Sequence, residues 1–141
     1  MFKKLGFTNV TGVEYCDKKL TFAADTGYPV HKVDMHNLAI FSDGSFDVVY
    51  SSHTLEHAYS PTIVIKEFKR VLKPSGLLYV VLPFPDNGPE DAHGGKFELN
   101  THQNNPLSVC SVFENCGFSL ISMHTDQYRE PEIWLDFIKN Y

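Results

Sequence analysis

The sequence predicts an α/β fold: a mostly parallel sheet with helices on both faces. Three observations carry this. Short apolar runs alternate with amphipathic stretches along the chain. Proline-containing pairs, Ser60-Pro61 and Asn105-Pro106, open the two clearest amphipathic stretches. The runs between them are too short for helices and rich in Val, Leu, Tyr and Phe. Strands that alternate with helices are joined by crossovers, and crossovers make parallel neighbours. The 141 residues fit one domain, 1–141, with enough chain to bury a core.

The elements follow in order. Residues 10–15, "VTGVEY", read as a short strand ending in a glutamate. Residues 16–24 suit a short helix that "DTGY" breaks. Residues 30–35, "VHKVDM", alternate apolar and polar positions, with an aspartate near the end. "SDGS" at 42–45 is a turn signal. Residues 46–50 are almost wholly apolar, as in a strand buried on both faces. Ser60 at N-cap and Pro61 at N1 start a helix. Its apolar stripe holds Val64, Ile65, Phe68, Val71 and Leu72, and "KPSG" is expected to end it. "LLYVVLP", 77–83, is the clearest strand. Residues 86–105 form a long loop, of the kind that usually carries function. Asn105-Pro106 opens a second helix, with Val109, Val112, Phe113 and Cys116 at i, i+3, i+4 and i+7, and Gly117 after it. "FSLISM" alternates as a strand. The tail from 128 to 141 mixes Trp134, Leu135, Phe137 and Ile138 without a decisive period.

Bulk properties exclude several classes. The net charge of −5 and the lack of a Lys/Arg cluster argue against a nucleic-acid surface. Three cysteines with no CxxC make neither a disulfide framework nor a zinc ribbon, so a reducing, cytoplasmic setting is expected. No apolar run approaches the roughly 20 residues that span a bilayer. The N-terminal stretch has no apolar core of a signal peptide.

Open parallel sheets bind ligands outside the carboxyl ends of their strands. Glu14, Asp34, Ser51, Ser52 and His53 fall at such ends. Glu14 is placed either to accept two ribose hydroxyls or to stand as a solvated carboxylate before the next helix. Asp34 suits either an exocyclic amine or a turn cap. His53 and His57, four apart, would share one helix face, and His53, His57, His93 and His102 are candidate general bases. With His93, His102 or Asp86, the His53–His57 pair has the spacing of a metal site, yet no HExxH signature is present, and no metal is expected. Cys110 and Cys116 read as small core residues.

"GSFDVVYSSHTLEH" followed by "EFKRVLKPSGLLYVVLP" resembles the class I S-adenosylmethionine-dependent methyltransferases. "GVEY", "VDMHNLAIFSDGSFDVVYSSHTLEH" and "NNPLSVCSVFENCGFSLISM" match further pieces in the same order, over roughly residues 5–123. Ser75 stands where the family usually has glycine. The resemblance implies a Rossmann-like sheet, S-adenosylmethionine as cofactor and a small-molecule or glycan-type acceptor. It implies that Glu14 takes the ribose hydroxyls, with Tyr15 against the adenine. Asp34 would face the adenine amine with Met35 beside it. Ser51, Ser52 and His53 would line the methionine end. His57 would be structural, and His93 and His102 would be bases in the acceptor loop. The family's first strand and its glycine-rich loop have no counterpart before "GVEY", so the domain is expected to be incomplete at its N-terminus. That strand normally sits between the "VTGVEY" and "FDVVY" strands. The gap is expected to close by direct pairing of those two, or by a strand from a second copy or a partner chain. Two functions are therefore open: methyl transfer, or a non-catalytic methyltransferase-like module that binds partners.

Overall fold

The computed structural model describes residues 2–23, 25, 27–84, 105–126 and 131–141. Its contacts fall into two compact units, Met1–Leu38 and Ala39–Tyr141. In the first unit, a 3-10 turn at Phe2–Leu5 precedes strand β1 (Gly12–Glu14), helix α1 (Asp17–Ala23) and strand β2 (Val30–Lys32). β1 and β2 pair in parallel, from Gly12 opposite Val30 to Glu14 opposite Lys32. The expected strand, helix and strand are all present here, each shorter than its sequence pattern.

The second unit holds β3 (Phe46–Ser52), a 3-10 turn (Leu55–His57), α2 (Pro61–Val71), β4 (Leu72–Pro83), α3 (Pro106–Asn115), β5 (Phe118–Asp126) and β6 (Glu132–Lys139). The strand order is β3-β4-β6-β5. β3 and β4 are parallel, and β6 runs antiparallel between β4 and β5. Among the described residues, β1 does not pair with β3, although such pairing is one of the two expected ways to close the sheet. The described strands form two separate sheets.

Alternation in β4 and β6 builds the core of this unit. Leu78, Val80 and Leu82 lie opposite Phe137, Leu135 and Ile133, and all six are buried. They meet the buried stripes of the helices, Val64, Ile65, Phe68 and Val71 from α2 and Val109, Cys110 and Phe113 from α3. Phe113 stacks on Phe137 with ring centroids 4.5 Å apart. Each such side chain contributes about 1.5–3 kcal/mol by leaving water, so the helices are held by this stripe rather than by intrinsic propensity. The tail 132–139 is thus a strand whose Ile133, Leu135 and Phe137 follow a period of two. Trp134 and Asp136 between them blurred that period.

Proline at N1 starts both helices. Asn105 caps α3 by accepting the Leu107 N–H at 3.1 Å, whereas Ser60 makes no side-chain cap. α3 ends at Gly117, whose φ of 88° is the left-handed cap conformation. The expected stop of α2 at "KPSG" needs correction. The helix ends at Val71 and the chain passes directly into β4. Lys73 to Gly76 instead make a bulge, seen where pairing jumps from Phe46–Leu72 to Val48–Leu77. Ser75 turns the corner at a φ of 58°. Ahead of β3, the guanidinium of Arg70 ties the "SDGS" turn to α2. It donates to Asp43 at 2.7 Å and to the Phe41 carbonyl at 2.9 Å while holding both oxygens of Glu67.

Candidate functional site

In the first unit, β1 and β2 present their carboxyl ends side by side. Glu14 is the last residue of β1, and the Val33 N–H donates to its carbonyl at 3.2 Å. Its side-chain Oε1 accepts the backbone N–H groups of Tyr15 and Cys16, each at 2.8 Å. The carboxylate therefore covers the start of α1 and is fixed in orientation, with Oε2 outside these two bonds. Tyr15 is exposed beside it. Asp34, just past β2, accepts the His36 N–H at 2.9 Å and the His36 ring Nδ1 at 2.6 Å, both on Oδ1. These bonds, the backbone one foremost, hold the Asp34 carboxyl below the usual carboxylate range. Met35 lies half-buried between them in sequence. Both carboxylates thus fill the local roles weighed against them, and each keeps one oxygen beyond those bonds.

In the second unit, the parallel strands β3 and β4 end together, and antiparallel β6 begins at the same edge, with Pro83 opposite Glu132. Ser51 is buried, and its hydroxyl has no hydrogen-bond partner among the described residues. Ser52 is half-buried, and its carbonyl accepts from Thr54 Oγ1 at 2.9 Å. His53 follows at a φ of 47°, the left-handed region that side chains seldom enter. Its N–H still donates to the Val81 carbonyl at 3.0 Å, as though the strand continued. Its ring turns to the start of β6, where Nε2 meets Glu132 Oε1 at 2.7 Å. On the other side Nδ1 faces Glu56 Oε1 at 3.6 Å.

The expectation that His53 and His57 share a helix face is corrected. Only Leu55–His57 form a turn, and His53 precedes it. His57 is exposed, whereas Leu55 and Glu56 are buried, the glutamate at 2% exposure. Sequence reasoning missed both Glu56 and Glu132. Glu56 had a faint signal, being set between residues that suit a packed turn. Glu132 had none, because it stands 79 positions from the histidine it touches. His93, His102 and Asp86 lie outside the described residues. Among the described residues, no group of three His, Cys, Asp or Glu side chains is arranged to hold a metal. Cys110 and Cys116 are buried, and burial raises the Cys110 thiol. A cleft bordered by Lys66, Lys69, Arg70 and Lys139 lies by Leu72, at the opposite end of β4 from Pro83.

A family model described as a methyltransferase domain matches residues 1–80, more than half of the chain. The chain belongs to that family. The ubiquinone biosynthesis O-methyltransferase of Colwellia psychrerythraea is 34% identical over an 82-position match that covers 54% of this chain and 33% of that protein. The chain spans about a third of the length of the curated relatives it matches. Solved structures that share the fold of this methyltransferase domain include the following two. The S-adenosylmethionine dependent methyltransferase from Mesorhizobium loti has a TM-score of 0.71 at 17% identity, covering 97% of this chain and 83% of that one. The [4+2]-cyclase SpnF has a TM-score of 0.76 at 16% identity, covering 94% of this chain and 66% of that one. At such identities the likeness establishes the fold alone, and a fold does not set the reaction. Among the described residues, no helix is long and apolar enough to cross a membrane.

The residues present fit the nucleoside half of the cofactor such a fold implies. Glu14 and Asp34 are pinned acceptors at adjacent strand ends, and a ribose and an adenine amine supply donors. In the second unit, the orphaned Ser51 hydroxyl is by itself a group that a polar ligand atom would satisfy. For the methionyl carboxylate, no glycine-rich turn occurs among the described residues.

Proposed function

We propose that this methyltransferase domain transfers a methyl group from S-adenosylmethionine to a small-molecule acceptor. The reading rests above all on Glu14. Its carboxylate is held by two backbone N–H groups at the end of β1, which leaves Oε2 outside those bonds. In this reading Asp34 takes the adenine amine, and Tyr15 and Met35 flank the ring. Ser51, Ser52 and His53 serve the methionine end, and His93 and His102 serve the acceptor loop. The cofactor supplies an electrophilic methyl on a sulfonium, and the residues bind, orient and exclude water. The relative from Colwellia, named for ubiquinone biosynthesis, supports a small acceptor. The reading includes a further strand at the free edge of β3, brought by an oligomer mate or partner chain. β3 carries the apolar residues Phe46, Val48 and Val49 yet is paired only with β4 among the described residues.

Titration calorimetry with S-adenosylmethionine tests this. The expected outcome is saturable heat that Glu14→Ala weakens at least about tenfold, or about 1.4 kcal/mol. No heat and no thermal shift at millimolar ligand would remove the reading.

A further inference from the structure

We propose that His53 is the general base of this site, oriented by Glu132 and backed by Glu56, and that the acceptor is a hydroxyl of the phenol class. The assignment rests on the methyl-transfer reading above and adds the proton path and acceptor chemistry to it.

Three observations converge on one imidazole. The first is its polar surroundings. An ionised carboxylate only accepts, so at 2.7 Å from Glu132 the His53 Nε2 carries the hydrogen. The neutral ring then has its lone pair on Nδ1. The nearest carboxylate oxygen there, from Glu56, is 3.6 Å away, beyond hydrogen-bond reach. A proton that arrives at Nδ1 makes an imidazolium with a carboxylate on each side, from two different elements. The second is the backbone. A non-glycine residue at a φ of 47° is strained, and such strain persists where the surroundings over-determine it. The third is place. The ring is about one-third exposed, at the carboxyl end of a parallel strand, where α/β sheets meet their ligands.

A hydroxyl acceptor needs such a base, because its proton must leave as the new bond forms. The acceptor oxygen gives that proton to Nδ1 and bonds to the methyl carbon. The electron pair of the broken carbon–sulfur bond stays on sulfur, which departs as a neutral thioether. His53 ends as imidazolium and returns the proton to water. Glu132 is a positioning residue: it sets the tautomer that leaves Nδ1 open.

The bland alternative is a structural pin from the end of β3 to the start of β6. Two measurements test the proposal, and the second separates it from the pin. Long-range proton–nitrogen correlation spectra of the imidazoles give the tautomer without any acceptor. The expected neutral form of His53 carries its hydrogen on Nε2. Glu132→Ala should give mixed tautomers, and Glu132→Gln, whose carbonyl still accepts, should restore the preference. A hydrogen on Nδ1, or a ring still doubly protonated well above neutral pH, overturns the proposal.

The second measurement is methylation of catechol and of the more acidic nitrocatechol, with S-adenosylmethionine. His53→Asn should slow catechol by about 100-fold or more through kcat, and nitrocatechol much less, since its hydroxyl ionises unaided. Equal slowing of both phenols, with lost thermal stability, supports the pin and sinks the base. Cofactor bound by calorimetry with neither phenol turned over also overturns the proposal. Calorimetry that detects no cofactor would remove the methyl-transfer reading while leaving the tautomer result intact.

Discussion

The two units differ in what holds their carboxylates. In Met1–Leu38, Glu14 and Asp34 are fixed by backbone groups one or two residues away. In Ala39–Tyr141, Glu132 is fixed by a histidine 79 positions distant, and Glu56 is sunk in the fold. The packing beneath them differs in the same way. Leu38 is the one buried apolar side chain among the described residues of the first unit, and α1 buries none. The second unit has a continuous core between its sheet and α2 and α3. Local stability follows buried apolar contact, so the proposed nucleoside rim stands on the softer support and the proposed base on the firmer. Ligand binding to the first unit would then include an ordering cost that the second has already met in folding.

The largest effect should come from Phe137→Ala. This ring stacks on Phe113 and meets Phe118 edge-on at 6.3 Å, and it is fully buried. Its removal should cost the second unit about 3–5 kcal/mol. Urea unfolding followed by the single tryptophan, Trp134 in β6, reads that unit. Amide exchange of β1 and β2 reads the other, and should already be faster in the unaltered protein. Equal protection in β1 and β6 would break the contrast drawn above.

A smaller effect of opposite sign should come from Ser75→Gly. Ser75 holds a φ of 58° in the bulge that begins β4, a region that glycine enters freely. Stabilisation of about 0.5–1 kcal/mol is expected, after the wider freedom of glycine in the unfolded chain is counted. A loss of stability would mean that the serine side chain makes a contact worth more than its strain.

Ser75 and His53 also mark how far the sequence could be read. Each strand and helix that a local pattern predicts is present, though several are shorter than the pattern and the end of α2 moves. The Ser60-Pro61 start, the Asn105 cap and the Gly117 stop are all turn chemistry within a few residues. The family resemblance rested on such local pieces, and the family match covers the stretch that contains most of them. What stayed hidden was non-local. The end of α2 was misplaced because Pro74 and Gly76 look the same in a helix stop and in a strand bulge. Only the partner strand β3 distinguishes them. β6 was indistinct because Trp134 and Asp136 fill its outward positions. The site was half legible for the same reason. Glu14 and Asp34 stand at strand ends that the sequence marks, whereas the His53–Glu132 bond exists only once β6 lies beside β4.

The finest test of the contrast is a pH effect confined to the first unit. His36 donates to Asp34 through its backbone N–H and its ring, and holds the carboxyl below its unfolded value. A group with a depressed folded value stabilises above its unfolded value, near 4, and loses that contribution as pH falls through the folded value. Asp34 is 44% exposed, so solvent screens the effect and it should be small. The Asp34→Asn variant keeps an oxygen for the His36 N–H and has no charge to lose. Protection of the β2 amides, taken relative to the intrinsic exchange rate at each pH, should therefore fall below about pH 4 in the unaltered protein, more steeply than in the variant. The β6 amides should respond alike in both proteins. If acid instead loosened β2 and β6 in step, with the same dependence on Asp34, the two units would be one cooperative body. The local origin of the first rim's order would then be wrong.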